Sequence, residues 1–358
     1  MFQRILVPLD GSKHAEQAIP AAARIARATG GSLVFINVVF APKDAGNYPF
    51  ASAATAAGGY EAQMVQAEEY LSSTVTMAYA NELAGIPTER EVDLGNAAPT
   101  IFATARQEQI DLIVMCSRGE TGLKRWVFGS VAHEAVHHTP VPILVLHEHG
   151  VGLPEPTKSQ PLHVLLPLDG SSLAETALEP AARLMATLAA PAPVVIHLLS
   201  VIDVPSPSGK FKGHINVDAL LQDELRQEAT DYLQQFERQM RMTLGAELHV
   251  PITSSVVVNP SASRAIIEIA ERAGETEGTF ALIAMATHGR TGLQHLLMGS
   301  VTEQILDHTK LPLLIVRSHE QKAQAEVAEL VKETATHTEN GKHITWHFRG
   351  KSKTPVTD

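Results

Sequence analysis

Cysteine is almost missing from this chain. Cys116 is the only one in 358 residues, and a single thiol makes no internal disulfide, so a reducing, cytoplasmic setting is expected. Basic charge is short as well: 28 Lys and Arg stand against 39 Asp and Glu, a formal net charge of −11. With no Lys/Arg stripe to offset it, that balance repels phosphate backbones and excludes nucleic acid as an expected partner. Long apolar runs are absent too. Every strand-like run is soon broken by Pro, Asp or Gly, well short of the roughly 18 to 20 residues needed to span a bilayer, so no membrane role is expected. The opening MFQRILVPLD lacks the basic, apolar and small-residue order of a secretory leader.

What remains is an ordinary globular composition, 44% hydrophobic and 19% charged, in a chain long enough for two cores. A repeat shows how they divide. RILVPLDGSKHAEQAIPAAARIA, from Arg4, returns as VLLPLDGSSLAETALEPAARLM, from Val164, an offset of 159 that aligns Asp10 with Asp169. SRGETGLKRWVFGSV, from Ser117, returns as THGRTGLQHLLMGSV, from Thr287, at an offset of 170. The second copy therefore carries a net insertion of 11 residues between the two blocks, in a connection that can lengthen without disturbing a core. The expected domains are 1–149 and 162–318, joined by the Pro- and Gly-bearing linker 150–161 and followed by a helix and tail over 319–358.

Short apolar runs alternate with helical patterns in both copies, which predicts α/β domains with parallel sheets. Strands are expected over Ile5–Leu9, Leu33–Val39, Thr88–Val92, Leu112–Cys116 and Ile143–Leu146. In the second copy they are expected over Val164–Leu168, Val194–Val201, Leu248–Val258, Ala281–Ala286 and Leu313–Val316. Runs such as LIVM and ILVL are continuously apolar, as suits strands covered by helices on both faces.

Ligands of such sheets sit beyond the carboxyl ends of the strands. Asp10 and Asp169 end the first strand of each copy, where a carboxylate can accept hydrogen bonds from a ribose or an amine. Asp-Gly-Ser is equally strong turn chemistry, with Ser172 and Glu175 spaced as a capping box. After the fourth strand a glycine-bearing loop ends in Gly129-Ser130 or Gly299-Ser300, followed by a helical pattern. Glycines let backbone approach a ligand, and a helix N-terminus offers N–H groups and a positive dipole end to an anion. The competing reading is again a cap, from Ser300 and Glu303. No Walker A loop exists, because Gly350-Lys351-Ser352 would need glycine where Thr345 stands.

Through V-P-L-D-G-S, the S/T-x-G-x-T-G loop and the closing G-S-V, both copies resemble the universal stress protein family. The resemblance implies two open five-stranded parallel sheets of the adenine-nucleotide alpha hydrolase-like type, paired as an internal pseudo-dimer. Family members that bind ATP carry G-x2-G-x9-G-S/T. Here Gly119 and Gly289 take the second glycine, while Cys116 and Ala286 replace the first. By that analogy Asp169 meets the ribose or adenine, Val201 the adenine edge, and Gly289, Gly299 and Ser300 the phosphates, beside Ala286. Asp10, Val38, Cys116, Gly119, Gly129 and Ser130 correspond. If the first position needed positive φ, a side chain there would cost about 1–2 kcal/mol.

Rival constellations are present. HEAVH, His133 to His137, has the spacing of two zinc ligands and a general base on one helix, but the second copy places Glu303, Gln304 and Asp307 at the matching positions. The expectation is no metal. His138, His147 and His149 offer at most adventitious binding, Cys116 reads as a small hydrophobe rather than a redox sensor, and the tail around Trp346 is a loose partner-docking candidate. The expected function is a nucleotide-binding regulatory stress protein using ATP, ADP or AMP, with or without Mg, and an unknown protein partner. A ligand-free scaffold is the alternative; no general base or arginine clamp supports a working ATPase. The fifth strands, Ile143–Leu146 and Leu313–Val316, are expected to pair antiparallel across the copies, and a homo-oligomer of such pairs is compatible with the pattern.

Overall fold

The computed structural model describes residues 1–40, 50–117, 129–147, 152–155, 160–190, 192–203, 217–243, 250–272, 280–287 and 299–317. The predicted helix over 320–334, Trp346, His149, Gly119, Gly289 and half of the linker (150, 151 and 156–159) lie outside the described residues.

In the first half the strands are β1 (Arg4–Pro8), β2 (Ser32–Phe40), β3 (Thr88–Gly95), β4 (Leu112–Cys116) and β5 (Ile143–Leu146). Its helices are α1 (Lys13–Glu16), α2 (Ala18–Thr29), α3 (Phe50–Ser73), α4 (Ala80–Leu83), α5 (Ala97–Gln107) and α6 (Ser130–His138). The second half repeats the plan with β6 (Leu162–Pro167), β7 (Val194–Ile202), β8 (Ile252–Val258), β9 (Phe280–Ala286) and β10 (Leu313–Val316). Its helices are α7 (Ser172–Glu175), α8 (Leu178–Ala189), α9 (Val217–Thr243), α10 (Ala262–Arg272) and α11 (Ser300–His308). Ten strands were expected, and ten are found among the described residues. β3 runs on to Gly95, and β8 begins at Ile252 rather than Leu248, which lies outside the described residues.

The two five-stranded sheets are one. The order is β3-β2-β1-β4-β5-β10-β9-β6-β7-β8, every neighbouring pair parallel except β5 and β10. Those two pair antiparallel, with Leu313 opposite Val145, Leu314 opposite Leu144 and Ile315 opposite Ile143. Each half alone would leave its fifth strand as a bare apolar edge, and the ladder removes both edges at once. The remaining edges are β3 and β8, which are only partly buried. On β3, Glu89, Glu91 and Asp93 place charge along the edge, which disfavours pairing with another chain.

Central strands are covered on both faces, and the burial follows. β4, β5, β9 and β10 are buried at every position. Side chains alternate between two cores, each continuous across both halves. Leu144, Leu314 and Val316 enter the core shared with α2 and α8. Ile143, Val145, Leu313 and Ile315 enter the core of α5, α6, α10 and α11. Arg24, on α2, ties the halves further, donating from Nη1 to the Leu153 carbonyl at 2.9 Å and from Nη2 to the Leu188 carbonyl at 3.2 Å. Leu188 lies in the last turn of α8, whose exposed carbonyls favour a cation. Its repeat counterpart, Arg183, pairs instead within its own helix with Glu179.

The candidate nucleotide site

In each half the strand order reverses between the first and fourth strands, β1 and β4 or β6 and β9. That is where the loops diverge and a crevice opens at the carboxyl ends. Both halves have such a cleft. The first, of about 120 Å³, is lined by Asp10, Val38, Cys116, Gly129 and Ser130. The second, of about 140 Å³, is lined by Asp169, Val201, Ala286, Gly299 and Ser300. Their similarity in size does not favour one over the other. Of the twelve residues singled out in the sequence, ten converge on these two clefts, and Gly119 and Gly289 lie outside the described residues.

The aspartates serve the turn in both halves. Asp10 Oδ1 accepts from the Ser12 backbone N–H at 3.0 Å and from Ser12 Oγ at 2.6 Å. Asp169 Oδ1 accepts from the Ser171 N–H at 3.0 Å and from Ser171 Oγ at 2.6 Å. The glycines between adopt φ +88 at Gly11 and +85 at Gly170, left-handed values that a side chain makes costly. The helix start is therefore made by Ser12 and Ser171, whose hydroxyl oxygens accept from Ala15 N at 3.1 Å and Ala174 N at 3.2 Å. Ser172 is not the cap expected from the spacing; it lies one residue inside α7. The turn needs Asp-Gly-Ser as a unit, so the serine nearest the aspartate captures the cap.

Behind each turn a carboxylate is held by a tyrosine that the sequence reading passed over. Glu16 is buried, bonded to Lys13 at 2.7 Å and accepting from Tyr70 of α3 at 3.3 Å. Glu175 accepts from Tyr232 of α9 at 2.9 Å. Burial comes first in raising the pKa of Tyr70 and Tyr232 above the ordinary phenol value; Glu16 acts on one and Glu175 on the other. Both phenols thus stay protonated as donors. The signal was the recurrence of a Tyr on a long helix, 54 residues after Glu16 and 57 after Glu175, a pairing that no short motif spans.

The fourth-strand loops are closed at their roots. The Gly129 N–H bonds the Ser117 carbonyl at 2.9 Å and the Gly299 N–H bonds the Thr287 carbonyl at 3.0 Å. Gly129 and Gly299 are the caps of α6 and α11, without side-chain capping, and Ser130 and Ser300 are the first helical residues. The Ser300 and Glu303 capping box is therefore not formed. Gly299 sits at φ −63, ψ 140, open to any residue, and among the described residues an added Cβ would meet nothing nearer than the Thr287 carbonyl oxygen at 3.7 Å. Its backbone angles do not demand glycine.

Cys116 and Ala286 are regular strand residues at the ends of β4 and β9, paired with Leu146 and Val316. Neither is among the positive-φ residues, so the strain that a side chain would bring at a left-handed position does not arise.

A sequence model of the universal stress protein family matches residues 1–147 and again 162–317. The chain belongs to the universal stress protein family. It is 24% identical over 330 residues to a universal stress protein of Mycolicibacterium smegmatis, covering 87% of this chain and 96% of that one. A universal stress protein of Thermus aquaticus is 32% identical over 147 residues, which are 41% of this chain and 99% of that shorter one. Among solved structures, a universal stress protein from Archaeoglobus fulgidus superposes with a TM-score of 0.58 at 20% identity, covering 88% of this chain and 99% of that one. At that identity the superposition speaks for the fold.

The HEAVH pair is close but incomplete as a metal site. His133 Nε2 and His137 Nε2 lie 3.3 Å apart, and His133 Nε2 stands 3.7 Å from Glu303 Oε1 of the other half. Among the described residues no group of three or more His, Cys, Asp or Glu is arranged to hold a metal ion. No helix among them is long and apolar enough to cross a membrane.

Proposed function

We propose that this universal stress protein is a regulatory nucleotide-binding protein of the cytoplasm, whose second half takes ATP, ADP or AMP in the cleft between β6 and β9. The observation that carries the reading is the convergence of the Asp169 turn and the Gly299-Ser300 helix start on one cleft at the sheet's reversal point. An anion there would face the first N–H groups of α11 and the Ser300 hydroxyl. Leu199, Val201, Ile266 and Met285 supply an apolar wall for a base. Glycine at 299 is not needed by the backbone, and close approach of a ligand accounts for it. The first half offers the same set through Asp10, Val38, Cys116, Gly129 and Ser130. Mg would accompany a triphosphate without a dedicated protein cage. Among the described lining residues none is placed as a general base at the phosphate end, and binding rather than turnover is the proposed activity. The domain limits 1–149 and 162–318, the linker 150–161 and the tail 319–358 as the route to a protein partner belong to the same reading.

Calorimetric titration of the whole protein with ATP and ADP tests it. Saturable binding is expected, with Gly299→Asp removing the second-half site by placing a carboxylate where phosphate would sit. That variant should keep its fold, because its added side chain meets only ordinary contacts. Unchanged affinity in Gly299→Asp would sink the proposed site, and the ligand-free scaffold would replace it.

A further inference from the structure

Among the described residues β3 and β8 end the ten-stranded sheet, and they hold the same place in their halves. Ile5 lies opposite Leu33 and Leu33 opposite Thr88, while Val164 lies opposite Ile196 and Ile196 opposite Ile252. Position by position, Glu89, Arg90, Glu91 and Asp93 are therefore answered by Thr253, Ser254, Ser255 and Val257. Every charge on the first edge is gone from the second. What remains is ITSSVVV, rich in β-branched residues and without charge or proline, a pattern that exposed edges otherwise avoid. The free side of β8 follows from its hydrogen bonds. The Pro251 carbonyl accepts from the Ile196 N–H at 2.9 Å and the Asn259 N–H donates to the Ile202 carbonyl at 3.0 Å, so the odd-numbered residues face β7. The Ile252 carbonyl turns the other way and accepts from Arg241 Nη2 of α9 at 3.3 Å. By the same alternation the backbone groups of Ser254, Val256 and Val258 point outward, where no strand lies among the described residues.

We propose that β8 is the interface for a second copy of this chain, pairing antiparallel with the partner's β8 about a two-fold axis through Ser255. That register sets Ser254 opposite the partner's Val256, Thr253 opposite the partner's Val257 and Ile252 opposite the partner's Val258, so no like charges meet. The same register on β3 would set Glu89 against Asp93 and Glu91 against itself. At a net charge of −11 two copies repel over most of their surface, and β8 is an edge where they meet without that repulsion. The chain already uses this kind of join once, since β5 and β10 are equivalent strands that pair antiparallel and cover each other's edge. The two clefts lie at the reversals between β1 and β4 and between β6 and β9, so the interface stands apart from nucleotide binding.

Sedimentation of the full chain over a dilution series tests the assignment. Wild type should pass reversibly between monomer and dimer, and the amides of Ser254, Val256 and Val258 should exchange more slowly in the dimer. Ser254→Lys places a charge at an exposed position of the edge and should weaken dimerisation at least about tenfold without lowering the Tm. Ser255→Cys reads the register independently. In the proposed pair the two Ser255 positions are non-hydrogen-bonded neighbours with Cα atoms about 4.5 Å apart, within disulfide reach. Mild oxidation should therefore link that variant into a covalent dimer, while Cys116 is buried; this result decides even if the lysine variant is unstable. The proposal is overturned if wild type stays monomeric at every concentration, or if a folded Ser254→Lys dimerises as wild type does. It is equally overturned if dimers form but Ser255→Cys does not cross-link, or if the β8 amides are protected in a monomer, which would mean that the chain's own residues cover the edge.

Discussion

Glu91 shows how one residue can carry a pH signature. It lies on the edge strand β3 among Glu89, Asp93 and Glu108, with Arg4 the moderating cation. Arg4 is already engaged with Glu89 at 2.9 Å and Glu108 at 2.6 Å. Burial first, then the neighbouring carboxylates, push the Glu91 pKa up from 4.5 to about 7. A pKa raised in the folded state means stability that is fully present below the unfolded value of 4.5 and is lost as pH rises through about 7. Glu91→Gln removes that loss. Urea unfolding should show the variant more stable than wild type at pH 8 and little different near pH 4. Equal shifts at both pH values would mean that the carboxylate does not titrate in this window.

At the scale of elements, α6 and α11 meet across the seam, and the repeat decides what HEAVH is. The His133–Glu303 contact joins two residues that occupy the same place in their halves, at the offset of 170. Since α11 has Gln304 and Asp307 where α6 has Glu134 and His137, the helix is explained by capping at Gly129 and by burial of Ala132, Ala135 and Val136. Two histidines at helical spacing and Glu303, whose Oε1 stands 3.7 Å from His133 Nε2, are the right number for a catalytic zinc but, among the described residues, are not arranged to hold one. Elemental analysis of the purified protein should find no stoichiometric zinc. Stoichiometric metal that His133→Ala releases would restore the hydrolase reading.

For the whole molecule, the antiparallel pairing of β5 with β10 makes two repeats into one body. Leu144 and Leu314 face each other, both fully buried, and both cores run through the join. Stability should therefore be shared. Leu314→Glu buries a carboxylate with no partner, a loss of about 3–5 kcal/mol, and it should shift unfolding of both halves together. Amide exchange should find Ile143–Leu146 and Leu313–Val316 among the best-protected segments of wild type. A variant in which only residues 162–317 lost protection would show that the halves unfold independently.

Much of this was open to reading in the sequence, and the reasons are physical. Continuous apolar runs between helical patterns determine buried parallel strands, the duplicated blocks determine two matching halves, and a bare apolar fifth strand in each calls for a partner. Local chemistry likewise determines the Asp-Gly-Ser turn, since glycine adopts the left-handed backbone at 11 and 170 without the cost a side chain brings. Which serine caps the helix is equally local, settled by Asp169 reaching Ser171 two residues on. Other features depend on contacts between residues far apart in the chain. That Cys116 and Ala286 cost no strain was settled by strand pairing with Leu146 and Val316. The Tyr232–Glu175 bond and the burial of Arg317 exist only because the sheet brings distant segments together. Periodicity and turn chemistry are written in neighbouring residues, whereas a side chain's partner across a sheet is chosen by the completed fold.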